Sequence, residues 1–182
     1  AKNPNDQVNL LFQKANALLE YGDEVQAVKL FEHLVEYVKS VPESSKHVNL
    51  MLGVAYMRLA ERNNCINQHG ADACILPIMG NGIHQDKAPA RKAVNSFLQT
   101  LALEPNNYNA IWLLNLAYMT LGEYPSKVPN KWLIRNLDHP GEMPIKPFTE
   151  MATDLKIDIK NRAGGAIVED FDNDGYLDII TS

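Results

Sequence analysis

The stretch Gln7–Pro42, "QVNLLFQKANALLEYGDEVQAVKLFEHLVEYVKSVP", decides what kind of chain this is. Leu11, Ala15, Leu18 and Leu19 recur at helical spacing and mark one apolar face. Val25, Val28, Phe31, Leu34, Val35 and Val38 mark another. Between them, Tyr21-Gly22-Asp23 offers a glycine to end one helix and an aspartate to cap the next. The stretch predicts a helical hairpin.

The design returns twice. "LMLGVAYMRLAE" carries Leu52-Gly53 with Tyr56 three residues on, and "ARKAVNSFLQTLALEP" carries Ala93 and Phe97 with Pro105 beyond. "AIWLLNLAYMTLGEY" carries Tyr118 and then Gly122. These motifs resemble the tetratricopeptide repeat, a helix–turn–helix unit of about 34 residues with L-G-x-x-Y in its first helix and A-x-x-x-F, then Pro, in its second. The registers agree: Ala15 and Ala27 bracket Gly22, and from Pro105 the next small position falls on Asn115, with Tyr118 and Gly122 in step. Small residues at such points let paired helices approach, while Tyr and Phe fill the gap to the next repeat. The expected organisation is a helical array over residues 1–123, a Pro-rich connector over 124–148 and a β segment over 149–182.

One repeat is split. Gly53 and Ala93 stand about 40 positions apart, where an uninterrupted unit has about 12. The excess, residues 62–88, holds both cysteines, Cys65 and Cys74, and the histidines His69 and His84. So long a connection needs something to staple it. A Cys65–Cys74 disulfide would close a short loop, contributing on the order of 2–3 kcal/mol. A Cys65, His69, Cys74, His84 metal site would use ligand types that suit zinc, although the spacing fits no common finger. Ile75-Leu76-Pro77-Ile78-Met79 reads as an apolar plug and Gly80-Asn81-Gly82 as a tight turn. His33, His47 and His139 are scattered and read as surface or capping residues.

Pro125, Pro129, Pro140, Pro144 and Pro147 then exclude a long helix, and Trp132 is expected to anchor this connector on the array. Beyond it stands "GGAIVEDFDNDGYLDIITS", residues 164–182, with Asp170, Asp172 and Asp174 alternating before Gly175 and Asp178. A hard cation takes six to eight oxygens, and alternate carboxylates on a tightly turning loop converge on one point. The Tyr176 carbonyl and the Asp178 carboxylate would complete the ring. An EF-hand is excluded: position 12 is Thr181 rather than Glu, and the β-branched, aromatic flanks read as strands. The competing reading is a hairpin of solvated aspartates with no ion.

Strand, calcium loop and strand with "DFDNDGYLDI" resemble the FG-GAP/VCBS blade unit of integrin-type β-propellers. With its lead-in from Phe148, and with "CILPI", "GNGIH" and "WLLNLAYMTLGEYP" upstream, most of the chain is similar to bacterial ASPIC/UnbV (cartilage acidic protein-like) proteins, several of which carry tetratricopeptide repeats in front. The resemblance implies a mainly α chain: a tetratricopeptide-like array followed by a short β hairpin with a calcium loop, the start of a propeller blade. It also implies calcium as cofactor, a secreted or cell-surface location outside the cytoplasm, and, from that compartment, the disulfide. A propeller needs several four-stranded blades, so the chain is expected to be the N-terminal part of a longer protein. A lone hairpin is marginal, so its strands are expected to lean on the helices or on another molecule.

The expected function is non-enzymatic: a scaffold whose repeats bind a protein or peptide, compatible with a membrane-associated complex. The alternative is an enzyme or a metal or electron-transfer accessory subunit using the Cys/His insertion. The net charge of -5 and the scattering of 17 basic residues argue against nucleic-acid binding, and no apolar run approaches the roughly 18–20 residues of a membrane span. No nucleophile–base set or phosphate-binding glycine loop stands in the sequence.

Overall fold

The computed structural model describes residues 4–65, 71–73, 76–137, 149, 151–158 and 165–181, without the side chains of Pro4, Asn5, Cys65, Ala71 and Thr181. The chain is mainly helical with a short two-stranded antiparallel hairpin near its C-terminal end. It divides into two compact units, Ala1–His139 and Pro140–Ser182.

The first unit contains α1 (Pro4–Tyr21), α2 (Glu24–Val38), α3 (Pro42–Cys65), α4 (Ala88–Leu103) and α5 (Tyr108–Thr120). Each helix packs chiefly on its neighbour in sequence. The pairs run antiparallel: Phe12 meets Phe31 across α1 and α2, Tyr56 meets Glu32 across α3 and α2, and Thr100 donates to the Lys46 carbonyl across α4 and α3.

Two helices end in the same way, for the same reason. At Gly22 (φ +90°) the amide donates to Leu19 O at 3.2 Å and the Asp23 amide to Leu18 O at 2.8 Å, which satisfies two carbonyls left open at the end of α1. At Gly122 (φ +72°) the amides of Gly122 and Glu123 do the same to Met119 and Tyr118 after α5. Asp23 then caps α2 by accepting from the Gln26 amide, and Asn107 caps α5 by accepting from the Ala110 amide.

Packing is tightest where α3 meets α4. Phe97 is fully buried, and a Cβ on Gly53 would stand 2.3 Å from its ring. The missing side chain at Gly53 is what leaves room for the ring against α3. Phe31, Leu34, Leu101 and Leu114 are also fully buried, each contributing about 1.5–3 kcal/mol by leaving water.

Helical geometry in α3 continues to Cys65, so residues 62–65, expected inside the insertion, form its last turn. Arg62 explains the extension. Its guanidinium donates to Gly22 O at 3.0 Å and Glu24 at 2.6 Å, which ties that turn to the start of α2. Of the expected apolar plug, Ile78 is buried and Leu76 and Met79 are exposed, while Ile75 lies outside the described residues. Gly80–Gly82 makes a single 3-10 turn.

After α5 the chain folds back. Asn115 is fully buried; its amide donates to Trp132 O at 2.7 Å and accepts from the Ile134 amide at 3.1 Å. Trp132 donates from its indole to Pro105 O at 3.0 Å, and Tyr124 from its hydroxyl to Ile134 O at 2.7 Å. The first part of the Pro-rich stretch is thus fastened to the helices, and residues 138–148 lie outside the described ones.

In the second unit, β1 (Ala166–Glu169) pairs antiparallel with β2 (Asp178–Thr181) in the register Ala166↔Thr181, Ile167↔Ile180, Val168↔Ile179 and Glu169↔Asp178. Ile167, Val168, Ile179 and Ile180 are all exposed.

Candidate functional site

The loop between β1 and β2 is built from its own aspartates. Asn173 (φ +59°) and Gly175 (φ +88°) take left-handed backbone, a conformation open to Asn and Gly at low cost, and this bends the chain back within a few residues. The bend turns amides inward. The Asp174 amide donates to Asp170 Oδ1 and Asp172 Oδ1, both at 3.1 Å, and the Gly175 amide to Asp170 Oδ2 at 3.0 Å. Tyr176 N–H reaches Asp174 Oδ1 at 2.8 Å.

As a result Asp170, Asp172 and Asp174 each present a carboxylate oxygen within 4.8 Å of the others. Like charges about 4 Å apart repel by about 1 kcal/mol per pair even in water, so the cluster favours a cation. Asp178 is outside this trio: its carboxylate accepts from the Phe171 amide at 3.0 Å and clasps the two ends of the loop. Tyr176 joins the loop through its amide, and its ring is exposed.

The Cys65 side chain, His69 and Cys74 lie outside the described residues, and with them both the expected disulfide and most of the alternative metal set. His84 is described: it is buried, with Nε2 3.4 Å from Glu61 Oε1. His33 and His47 are exposed, and His139 lies outside the described residues.

A groove of about 270 Å³ opens where α2, α3 and the start of α4 meet, lined by Val25, Val28, Leu59 and Pro89 with Glu32, Tyr56 and Lys92. The Tyr56 hydroxyl donates to Glu32, and the Lys92 ammonium stands 3.4 Å from the same carboxylate and 5.2 Å from the centre of the Tyr56 ring. Burial and then Glu32 push the Tyr56 phenol well above its ordinary range. The phenol therefore stays protonated, a fixed donor rather than a base. A larger, mostly apolar pocket of about 440 Å³ lies between Ile78, Tyr124, Leu133 and Arg135.

No family model, curated protein or solved structure matches the chain. The site stands on its geometry alone. No helix among the described residues is long and apolar enough to cross a membrane.

Sequence reading missed the polar anchors. Asn115, read as a small position, is a buried amide that secures the returning segment, and Glu24 is a buried carboxylate held by Arg62. Glu123 receives two hydrogen bonds from Arg91 and one from Lys127. Chiefly through Arg91 its carboxyl is lowered to about 2.

Proposed function

We propose that the chain is a non-enzymatic, extracytoplasmic scaffold in which a tetratricopeptide-like array binds a protein or peptide and a calcium ion organises a hairpin of FG-GAP/VCBS type. The observation that carries this reading is the convergence of three carboxylates between two paired strands. Calcium is the ion of choice because every donor is an oxygen, the loop is exposed, and calcium tolerates flexible coordination. Asp170, Asp172 and Asp174 would supply three ligands, with the Tyr176 carbonyl and Asp178 completing the set.

The array has features that suit a peptide-binding surface: an apolar floor beside a lysine and a carboxylate that the Tyr56 phenol holds in place at the α2–α3–α4 groove. The agreement in register between Gly22 and Gly122, and the close approach at Gly53, support the repeat reading. The apolar side chains exposed on both strands suit a sheet completed by further strands or by a partner.

Calorimetric titration with calcium tests the metal part. The expected result is binding to the parent chain and none to the Asp172→Asn/Asp174→Asn double variant. Equal heats from both chains would sink the proposal. Affinity capture with the parent chain and with Tyr56→Phe, Lys92→Ala tests the groove: a partner retained equally by both places binding elsewhere.

A further inference from the structure

Two segments of the chain are fastened to α5 and enclose a pocket of about 440 Å³ between them. One is the stretch that leads into α4. Ile78 within it is buried, the Gly82 amide donates to Met79 O at 3.0 Å, and the His84 amide donates to Thr120 O at 2.8 Å, at the end of α5. The other is the segment that follows α5. The Tyr124 amide donates to Tyr118 O at 3.1 Å, its hydroxyl donates to Ile134 O at 2.7 Å, and the Ile134 amide donates to Asn115 Oδ1 at 3.1 Å. Both walls are thus held on one helix by hydrogen bonds within the chain. The pocket is preformed, which lowers the ordering cost of binding.

Its lining is of two kinds. Pro77, Ile78, Met79 and Leu133 are apolar, and the Tyr124 hydroxyl is already engaged at Ile134 O. Arg135 and Asn136 supply the polar side. The Arg135 guanidinium reaches Asn130 Oδ1 only at 3.5 Å and makes no ion pair among the described residues. Arg62 and Arg91, by contrast, are held by Glu24 and Glu123. Glu123 stands next to Tyr124 in the chain, and it is taken up by Arg91 and Lys127. No carboxylate among the described residues lines the pocket. Its one charged group is therefore a cation with donors to spare.

That combination selects a ligand class. A volume within the roughly 300–1,000 Å³ of small-molecule sites suits an organic molecule rather than a lone ion. The planar fork of a guanidinium matches the two oxygens of a carboxylate. One positive charge balances one negative charge. A phosphate dianion would call for further cations or a helix N-terminus, and neither lines this pocket among the described residues.

We propose that this pocket binds a small monocarboxylate with an apolar body, the carboxylate paired with Arg135 and the body packed against Ile78, Met79 and Leu133. Asn136 offers an amide donor on the same side. The site draws no residue from the α2–α3–α4 groove or from the aspartate loop, so it rests on neither the peptide nor the calcium reading.

The test titrates the full chain with octanoate, with octanol, which lacks the charge, and with acetate, which lacks the body. The readout is the methyl resonances of Ile78, Met79 and Leu133. Octanoate should shift all three saturably, octanol should bind about 10-fold more weakly, and acetate at the same concentrations should shift none. Arg135→Gln, a change at an exposed position, should lower octanoate to the affinity of octanol. The proposal is overturned if octanoate leaves these methyls in place, if octanol or acetate binds as tightly as octanoate, or if Arg135→Gln with parental helicity binds octanoate as the parent does.

Discussion

The helical unit and the aspartate hairpin are held by opposite means. In the helices, order comes from dry contact: Phe31, Phe97 and Leu114 are fully buried, and Gly53 lets α3 and α4 close over a phenylalanine ring. The hairpin exposes Ile167, Val168, Ile179 and Ile180, and its loop is shaped by amides donating to carboxylates. One region is stabilised by what it removes from water. The other gathers negative charge, which the proposed calcium ion would neutralise. Changes in packing should therefore act on the first, and changes in cation on the second.

The largest break in that contrast is Gly53→Ala. Its methyl would have to displace the Phe97 ring from a filled core, an overpacking cost of about 1–3 kcal/mol. Urea denaturation followed by helical circular dichroism should show a lower midpoint, with calcium binding at the loop unchanged. An unchanged midpoint would mean that α3 and α4 do not approach as described.

Asn115→Ala comes next. It removes the donor to Trp132 O and the acceptor for the Ile134 amide, both in a buried setting, at about 1–3 kcal/mol. Protease cleavage between residues 124 and 137 should appear before the helices unfold. If cleavage there stays as slow as in the parent, the buried amide is not what fastens the segment.

A smaller effect concerns acid. Glu123 has its folded pKa lowered from 4.5 to about 2. The carboxylate therefore contributes stability in full above pH 4.5, and that contribution fades as pH falls towards 2. Arg91→Gln should flatten this part of the stability profile and leave neutral-pH calcium binding alone. Parallel profiles for parent and variant between those pH values would remove Glu123 from the acid response.

How much was legible beforehand differs between the two regions. The turn at Gly22 and the helices around it follow from apolar spacing and from a glycine free to take left-handed backbone, both local properties. The hairpin was legible for the same reason: alternating aspartates around Gly175 between β-branched runs leave few alternatives. What stayed hidden was long-range and polar. Nothing near Asn115 announces that Trp132 and Ile134 return to it, and nothing near Glu61 announces His84. Such pairs are fixed by tertiary packing, which periodicity does not encode.

The central contrast is tested most directly by hydrogen exchange, read residue by residue, with calcium present and after chelation. Calcium should slow exchange at the amides of Asp174, Gly175 and Tyr176 and in β1 and β2, while the amides of α2, α3 and α4 stay unchanged. Equal exchange across the loop in both conditions would contradict the account.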